Sequence, residues 1–313
     1  MKNSKPLHLV AGSRGAMGSA VVRDLINRGE NVQAIGKTTS SERIKTKIVD
    51  LYDSNSLIEA LKDVDYFYLC VGLPYNSKYW LENWPKLMKS CVEACIASNT
   101  VLVFLDNIYM YSPPLPLFFD EKTEQVPKSI KGIARKMAAD LILDGIKNDN
   151  LKAVIGRSAS FLGPGVVNSS LYTSFLDRML AGKSPQSIFN PSIPITYAYI
   201  EDNAKALVEL ALNSKSYGEV YHLPVGKPIS LKEILDICNK VLGKNYKLSI
   251  MPKLLFKILC LFIPIFREID EVRYQYDEPY TMSYDKFSKL FPKFQVTSNE
   301  EGIQKMIESF QKQ

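Results

Sequence analysis

The stretch from Leu7 to Gly29, LHLVAGSRGAMGSAVVRDLINRG, constrains the fold more than any other segment of the chain. Its apolar start predicts a buried parallel strand, and its second half has the apolar spacing of a helix that ends at Gly29. Gly12, Gly15 and Gly18 lie between the two. Glycine lets the backbone approach a ligand closely, and the N–H groups at a helix start attract anions. This order therefore predicts the phosphate-binding turn of a dinucleotide-binding fold.

Strands and helices alternate through the first half of the chain. Five more strands are predicted after the first, at Val32–Ile35, Ile48–Val49, Val64–Val71, Val101–Leu105 and Lys152–Ile155. Helices are predicted at Ser54–Leu61, Trp84–Ser98 and Ile130–Ile146. This alternation predicts an α/β fold with a Rossmann-type, doubly wound parallel sheet over residues 1–165. Right-handed crossovers would place the carboxyl ends of the strands along one rim.

The character of the sequence changes after Gly165. Short helices at 171–181, 202–212 and 231–242 alternate with short strands at 196–200 and 219–222. Residues 166–313 are therefore predicted to form a smaller mixed α/β C-terminal cap that binds substrate, with some segments returning to the sheet.

Composition limits the class of protein. The chain has 313 residues, of which 46% are hydrophobic and 23% charged, as in a folded soluble protein with a sizeable core. The net charge of +6 is spread along the chain, which favours an anionic ligand but not a nucleic-acid groove. The N-terminal segment MKNSKPLHLV has no apolar signal region, and we expect a cytoplasmic protein.

The cysteines and the longest apolar run predict that the chain has no metal site and no membrane-spanning helix. The five scattered cysteines predict buried reduced thiols and no metal site. The longest apolar run, Leu254–Phe266, is interrupted by Lys257 and Pro264 and is too short to span a bilayer. We expect it to pack as a helix against the body, and contact with a membrane surface stays open.

The end of the second predicted strand bears on the choice of cofactor. An acidic residue there would select NAD, but the segment that follows, GKTTSSE, offers none before Glu42. Lys37 and Arg43, with Arg14 in the glycine loop, are candidates to hold a 2′-phosphate, or alternatively are solvated loop charges. NADP is predicted over NAD, which stays possible. The predicted cofactor-binding residues are Gly12, Ser13, Arg14, Gly15, Ala16, Met17, Gly18, Lys37, Asp50, Leu51, Val71, Gly72 and Lys136.

Several motifs in order along nearly the whole chain resemble one family. They are GSRGAMG, VDYFYLCVG, GRSASFLGPGV, YAYIEDNAKAL and YHLP followed by ISLKEI. Together they resemble the extended and atypical short-chain dehydrogenase/reductase superfamily, in its NAD(P)-dependent epimerase/dehydratase group. The resemblance implies a nicotinamide cofactor, a small-molecule substrate and a monomer or homodimer.

The resemblance also implies an active site from which this chain departs. The family uses a tyrosine four residues before a lysine on one helix, and a serine or threonine after the fifth strand. The helix here offers two registers, Lys131 with Arg135 or Gly132 with Lys136, and neither contains the tyrosine. The second is preferred, because Asp140 then falls where the family has an acid.

Three residues are accordingly predicted to be catalytic. Asn107 takes the serine position when Tyr111 is aligned with the family's loop tyrosine, and an amide can donate a hydrogen bond to an oxyanion. Tyr109, on the same loop, is the candidate proton donor, and Lys136 would hold the nicotinamide ribose. Asp106 could act only if burial raised its pKa. Tyr111 and the two histidines, His8 and His222, are expected to be structural.

Two functions follow from these predictions. The favoured one is an NAD(P)-dependent oxidoreductase or epimerase/dehydratase acting on a small polar carbonyl or sugar-like substrate, because the site loop and the cap are retained. The alternative is a non-catalytic NADP(H)-binding redox sensor, for which the apolar stretch LLFKILCLFIPIF is a candidate partner surface.

Overall fold

A seven-stranded parallel sheet organises the computed structural model, which describes residues 5–38 and 44–311. The strand order is β11-β7-β5-β4-β1-β2-β3, and all six neighbouring pairs are parallel. The strands are β1 Leu7–Ala11, β2 Asn31–Gly36, β3 Thr46–Ile48, β4 Tyr66–Leu69, β5 Val101–Asp106, β6 Phe118–Phe119, β7 Ala153–Arg157, β8 Ser160–Leu162, β9 Gln186–Ser187, β10 Tyr197–Tyr199, β11 Val220–His222, β12 Ser249–Ile250 and β13 Thr281–Met282.

Helices cover both faces of this sheet. The α-helices of the described residues are α1 Ala16–Asn27, α2 Ser54–Leu61, α3 Ser77–Ser98, α4 Ile130–Asp149, α5 Asp177–Leu180, α6 Ile200–Leu212, α7 Leu231–Leu242, α8 Lys253–Phe262, α9 Pro264–Asp270, α10 Asp285–Leu290 and α11 Asn299–Gln311. Successive residues of a strand face opposite sides. Leu9 and Ala11 therefore pack with α2, α3 and α4, whereas Val10 packs with α1 and α6. The predicted doubly wound α/β fold is confirmed.

Proline explains the largest difference from the predicted elements. The helix predicted to start at Trp84 begins at Ser77 and runs through Pro85. Proline favours the first turn of a helix, so the sequence pattern placed the start too late. The helix predicted over residues 171–181 is a π-helical segment, Leu171–Leu176, continued by α5.

The C-terminal half of the chain contributes to two layers. Helix α6 packs on α1, and β11 pairs with β7 as the edge strand of the large sheet. These are the segments of residues 166–313 that return to the sheet. A separate core joins β8 and β10 with α7 and α11, and it also takes in Ile108, Met110 and Tyr111 from the loop after β5. This second core is thereby continuous with the loop in which catalytic residues were predicted.

The apolar run and the cysteines occupy different environments. The run forms nearly all of α8 and the first three residues of α9, and one side of α8 packs on the body while the other is exposed. No helix within residues 5–38 and 44–311 is both long and apolar enough to cross a bilayer. All five cysteines are buried and free, and the described residues contain no cluster of three or more His, Cys, Asp or Glu side chains able to hold a metal ion.

Candidate functional site

The turn between β1 and α1 depends on glycine at two positions. Gly12 has φ of +80°, and a Cβ there would lie 2.5 Å from the carbonyl oxygen of Cys70 in the neighbouring strand end. A Cβ on Gly18 would lie 2.2 Å from the carbonyl oxygen of Gly12. Gly15 is less restricted, since its Cβ would be 3.3 Å from the same oxygen. The close contacts at Gly12 and Gly18 fix the shape of the turn, whereas Gly15 has more space around it.

The start of α1 suits an anion. No side chain caps the helix, and its first turn holds no acidic residue. The N–H groups of a first helical turn have no partner within the helix, so an uncapped start offers them to a ligand. The geometry of the turn therefore fits the diphosphate of a dinucleotide.

A cleft of about 420 Å³ opens at the carboxyl ends of β1, β2 and β4, in front of this turn. Nine of the predicted cofactor-binding residues line it: Gly12, Ser13, Arg14, Gly15, Lys37, Asp50, Leu51, Val71 and Gly72. The sequence analysis did not identify the remaining lining residues, Ile35, Gly36, Thr38, Tyr52, Cys70, Leu73, Leu87 and Asn168. Ala16, Met17 and Gly18 belong to the first turn of α1 and do not line the cleft.

Basic side chains lie at the end of β2, on the rim of the cleft. Lys37 Nζ is 3.3 Å from an Asp50 carboxylate oxygen, and both side chains are exposed. Arg14 Nη1 donates a hydrogen bond to Thr38 Oγ1 at 2.9 Å. Gly36 ends β2 where the family places an acid, and a Cβ there would meet nothing within 4 Å. Arg43, the other predicted phosphate ligand, lies outside the described residues.

A buried ion cluster closes the carboxyl end of β5. Asp106 Oδ1 lies 2.8 Å from Arg135 Nε and 2.6 Å from Arg135 Nη2, and its other oxygen is 3.3 Å from Arg157 Nε. The Arg135 guanidinium also lies 4.0 Å from the ring centre of Trp84. All three charged side chains are buried, so the two cations balance a carboxylate that has little access to water. Both carboxylate oxygens of Asp106 are therefore occupied by ion pairs with the two arginines.

Asn107 and Tyr109 lie directly after this cluster. Asn107 Oδ1 accepts the N–H of Tyr109 at 3.0 Å, which leaves the amide nitrogen of Asn107 as the group that can donate to a ligand. The Tyr109 ring stacks on Trp80 with 6.2 Å between centres. Burial raises the pKa of Tyr109 to about 12, with a smaller contribution from Tyr276. The phenol thus keeps its proton at neutral pH.

The contacts of α4 do not support the preferred register with Lys136. Its ammonium pairs with Asp140 at 2.7 Å, and both side chains are partly exposed. Lys131 and Arg135 are instead the buried pair on the inner face of α4, and Arg135 reaches Asp106 and the carbonyl of Leu105. Because a helix has about 3.6 residues per turn, side chains of neighbouring residues such as Arg135 and Lys136 point about 100° apart. The other register, left open by the sequence, is the one that faces the end of β5.

Lys131 is paired with two carboxylates, those of Glu268 and Glu271. Its ammonium donates to Glu271 Oε2 at 2.9 Å, to Ser77 Oγ at 2.9 Å and to a carboxylate oxygen of Glu268 at the end of α9. Burial acts to raise the pKa of Glu268, but hydrogen bonds from Lys131 and Ser77 lower it below its usual value. The side chain of Lys131 is completely buried. This contact joins α9 to α4 and to the start of α3.

Tyr111 and the histidines lie inside the protein. Tyr111 hydrogen-bonds His222, and Arg157 Nη1 donates to its hydroxyl at 3.0 Å. Burial lowers the pKa of His222 to about 3 and that of His8 to about 4, so both rings are neutral at physiological pH. The sequence analysis missed the roles of Ser77, Glu268 and Glu271. No local motif signals them, because Lys131 is 137 residues from Glu268.

Comparison with known proteins identifies the family of this chain. A family model described as the NAD dependent epimerase/dehydratase family matches residues 8–223. UDP-arabinose 4-epimerase 1 of Arabidopsis thaliana is 24% identical over 173 residues, which is 49% of this chain and 41% of the relative. A putative UDP-arabinose 4-epimerase 4 of the same plant is also 24% identical, over 49% of this chain and 40% of the relative. The matches thus span less than half the length of these curated relatives.

Solved structures resemble the chain over nearly its whole length. UDP-glucuronic acid 4-epimerase from Bacillus cereus in complex with NAD has a TM-score of 0.80 at 17% identity, covering 98% of this chain and 99% of its own. The dTDP-glucose 4,6-dehydratase DesIV from Streptomyces venezuelae, with NAD and TYD bound, also has a TM-score of 0.80, at 15% identity and coverage of 98% and 97%. At such identities these likenesses show the fold.

Proposed function

This chain belongs to the NAD dependent epimerase/dehydratase family, and we propose that it is an enzyme that binds NADP(H) and carries out oxidoreduction on a sugar nucleotide. The observation that carries the proposal is the cleft at the glycine turn, where nine of the residues predicted to bind the cofactor come together. The substrate class is proposed from the curated relatives and solved structures, which are named as UDP-sugar and dTDP-sugar enzymes.

NADP(H) is proposed over NAD(H) because of the end of β2. An acidic side chain there would accept the ribose hydroxyls and repel a phosphate. Gly36 leaves that space open, and Lys37 and Arg14 place two cations beside it. Lys37 is paired only loosely with Asp50 at 3.3 Å, so it can turn to a phosphate. The NAD named in the solved relatives belongs to those proteins.

The chain's own residues would divide the work between the cleft at the glycine turn and the turn that follows β5. The α1 turn holds the diphosphate, and the bound nicotinamide supplies hydride transfer. The Asn107 amide donates to a developing oxyanion, and the phenol of Tyr109, which keeps its proton at neutral pH, donates to a substrate oxygen. Arg135 fixes Asp106 and thereby the turn that carries both groups.

The binding claim is tested by calorimetry with NADPH and NADH. We expect NADPH to bind more tightly than NADH, and Gly15→Val to abolish binding of both while the protein stays folded. An Arg14→Ala and Lys37→Ala double variant should lose about 10- to 100-fold in NADPH affinity and little in NADH affinity, as expected for charged hydrogen bonds. Lys62→Ala, an exposed lysine outside the cleft, is the matched control. Equal affinities in the parent would reject the choice of NADP.

The catalytic claim is tested with UDP- and dTDP-sugars and NADP(H) by following the nicotinamide absorbance and the products. Tyr109→Phe should lower turnover strongly without changing NADPH affinity, whereas Tyr172→Phe in the cap should change neither. NADPH binding with no turnover across the panel would instead favour the non-catalytic redox sensor. The five buried free thiols fit a reducing compartment such as the cytoplasm, which remains our prediction of location, as does a monomer or homodimer.

A further inference from the structure

The outer side of α8 and the start of α9 form an exposed apolar surface that the proposed reaction does not use. Leu254, Leu261 and Phe262 are 75%, 72% and 77% exposed. The surface, here called the α8–α9 apolar face, consists of Leu254, Leu255, Ile258, Leu261, Phe262, Ile263 and Ile265. The five α8 residues share one side of the helix, and Phe256 and Cys260 on the other side are buried in the body. Folded proteins rarely leave so many neighbouring large apolar side chains in water.

The unpaired charges of the segment around this face are basic. Residues 244–267 contain five basic side chains and no acidic one, namely Lys244, Lys247, Lys253, Lys257 and Arg267. The acidic residues that follow, Glu268, Asp270 and Glu271, are held in ion pairs with Lys131, Lys257 and Arg273. Lys257 is paired with Asp270 at 2.8 Å, whereas Lys253 and Arg267 have no ion-pair partner among the described residues. A helix with an apolar side bordered by lysine and arginine is typical of segments that lie in the interface of an anionic bilayer.

We propose that the α8–α9 apolar face docks on a membrane surface that contains anionic lipids. Helix α8 has ten residues and is therefore about 15 Å long, half of the roughly 30 Å needed to cross the hydrocarbon core. It would lie in the plane of the interface, with its leucines and Phe262 among the acyl chains and the basic groups at the headgroups. Docking in this way buries the apolar side chains and leaves Phe256 and Cys260 in their present packing.

A lipid surface fits better than a second copy of this chain. A stable protein interface uses about 20–30 residues on each side. The α8–α9 apolar face offers seven, on a short convex helix. Two copies meeting here would also bring unpaired basic side chains such as Lys253 and Arg267 close to one another, whereas anionic headgroups would neutralise them.

Sedimentation with lipid vesicles tests the proposal. The full-length protein is mixed with vesicles of phosphatidylcholine alone and with vesicles that also contain phosphatidylserine. We expect binding to the anionic vesicles, weaker binding to the neutral ones, and release as salt is raised. Leu261→Ser with Phe262→Ser should lower the partition coefficient at least about tenfold, since two large apolar side chains no longer enter the bilayer. Lys253→Glu with Arg267→Glu should remove the preference for anionic lipid.

A matched control is Ile48→Ser, which removes an exposed apolar side chain from β3 at the edge of the sheet and should leave vesicle binding unchanged. Thermal melts confirm that each variant is folded. No binding by the parent to either vesicle overturns the proposal, and so does binding that Leu261→Ser with Phe262→Ser leaves intact. Concentration-dependent dimerisation that is lost in the same double variant, without vesicle binding, would assign the face to a second copy instead.

Discussion

Two regions of the molecule are built from different materials. The cleft at the glycine turn is formed by backbone and short side chains between Gly12 and Gly15, and by the ends of β2 and β4. The region around the inner face of α4 is formed by buried charged side chains from α4, β5, β7 and the end of α9, which pair in two clusters. We expect the first region to be sensitive to an added methyl group and the second to the removal of a charge.

The largest effect is expected at Asp106. Asp106→Asn leaves the guanidinium groups of Arg135 and Arg157 buried without an anion, which should lower the free energy of unfolding by about 3–5 kcal/mol. Chemical denaturation measures this change. Glu82→Gln, which breaks an exposed pair with Lys86 at 2.8 Å, should leave the free energy of unfolding nearly unchanged. Similar losses in the two variants would remove the distinction between buried and exposed pairs.

A smaller change in the free energy of unfolding is expected to distinguish two glycines of the turn between β1 and α1, Gly18 and Gly15. Gly18→Ala places a Cβ 2.2 Å from the Gly12 carbonyl oxygen and should cost about 1–3 kcal/mol through displacement of the backbone. Gly15→Ala, with 3.3 Å to the same atom, should cost less than about 1 kcal/mol. The same denaturation experiment compares them. If Gly15→Ala were the more damaging variant, the turn would not have the shape described.

The buried His222 at the end of β11 predicts a dependence of stability on pH. Because burial lowers the pKa of His222 to about 3, the unfolded chain binds its proton first as pH falls below about 6.5. Stability is therefore lost on acidification, by about 1.4 kcal/mol per pH unit from this residue.

The free energy of unfolding measured between pH 8 and pH 5 tests this dependence. His222→Gln should be less stable than the parent at pH 8 but should lose stability less steeply on acidification. Burial also lowers the pKa of His8, to about 4, so His8 contributes to the pH dependence of stability in both the parent and the variant. Parallel curves for the two proteins would contradict the buried neutral state of His222.

The smallest effect is expected at Lys136. Its pair with Asp140 is partly exposed, so Lys136→Ala should change the free energy of unfolding by less than about 0.5 kcal/mol and leave NADPH affinity unaltered. Calorimetry and denaturation measure the two quantities. A clear loss of NADPH affinity would restore the register that the sequence analysis preferred, and Arg135→Ala provides the comparison in the other register.

The sequence predicted the glycine turn better than the buried ion clusters. The strand, glycine turn and helix at the N-terminus are local, and the structure confirms them because their signals lie within about twenty residues. Helix α3 shows the limit of local rules, since Pro85 is tolerated inside a helix that tertiary packing extends back to Ser77. The register of α4 could not be decided either. Its sequence offers Lys131, Arg135 and Lys136, and only burial shows which of them turn inward.

The sequence by itself determined the fold class, the order of the strands and helices in the first half, and the position of the glycine turn between β1 and α1. These depend on apolar period and on glycine, which act over a few neighbouring residues. Tertiary structure alone decided which charges share a buried site, as with Lys131 and the distant Glu268 and Glu271. The physical reason is that the energy of a buried charge depends on its spatial neighbours, and no local pattern specifies them.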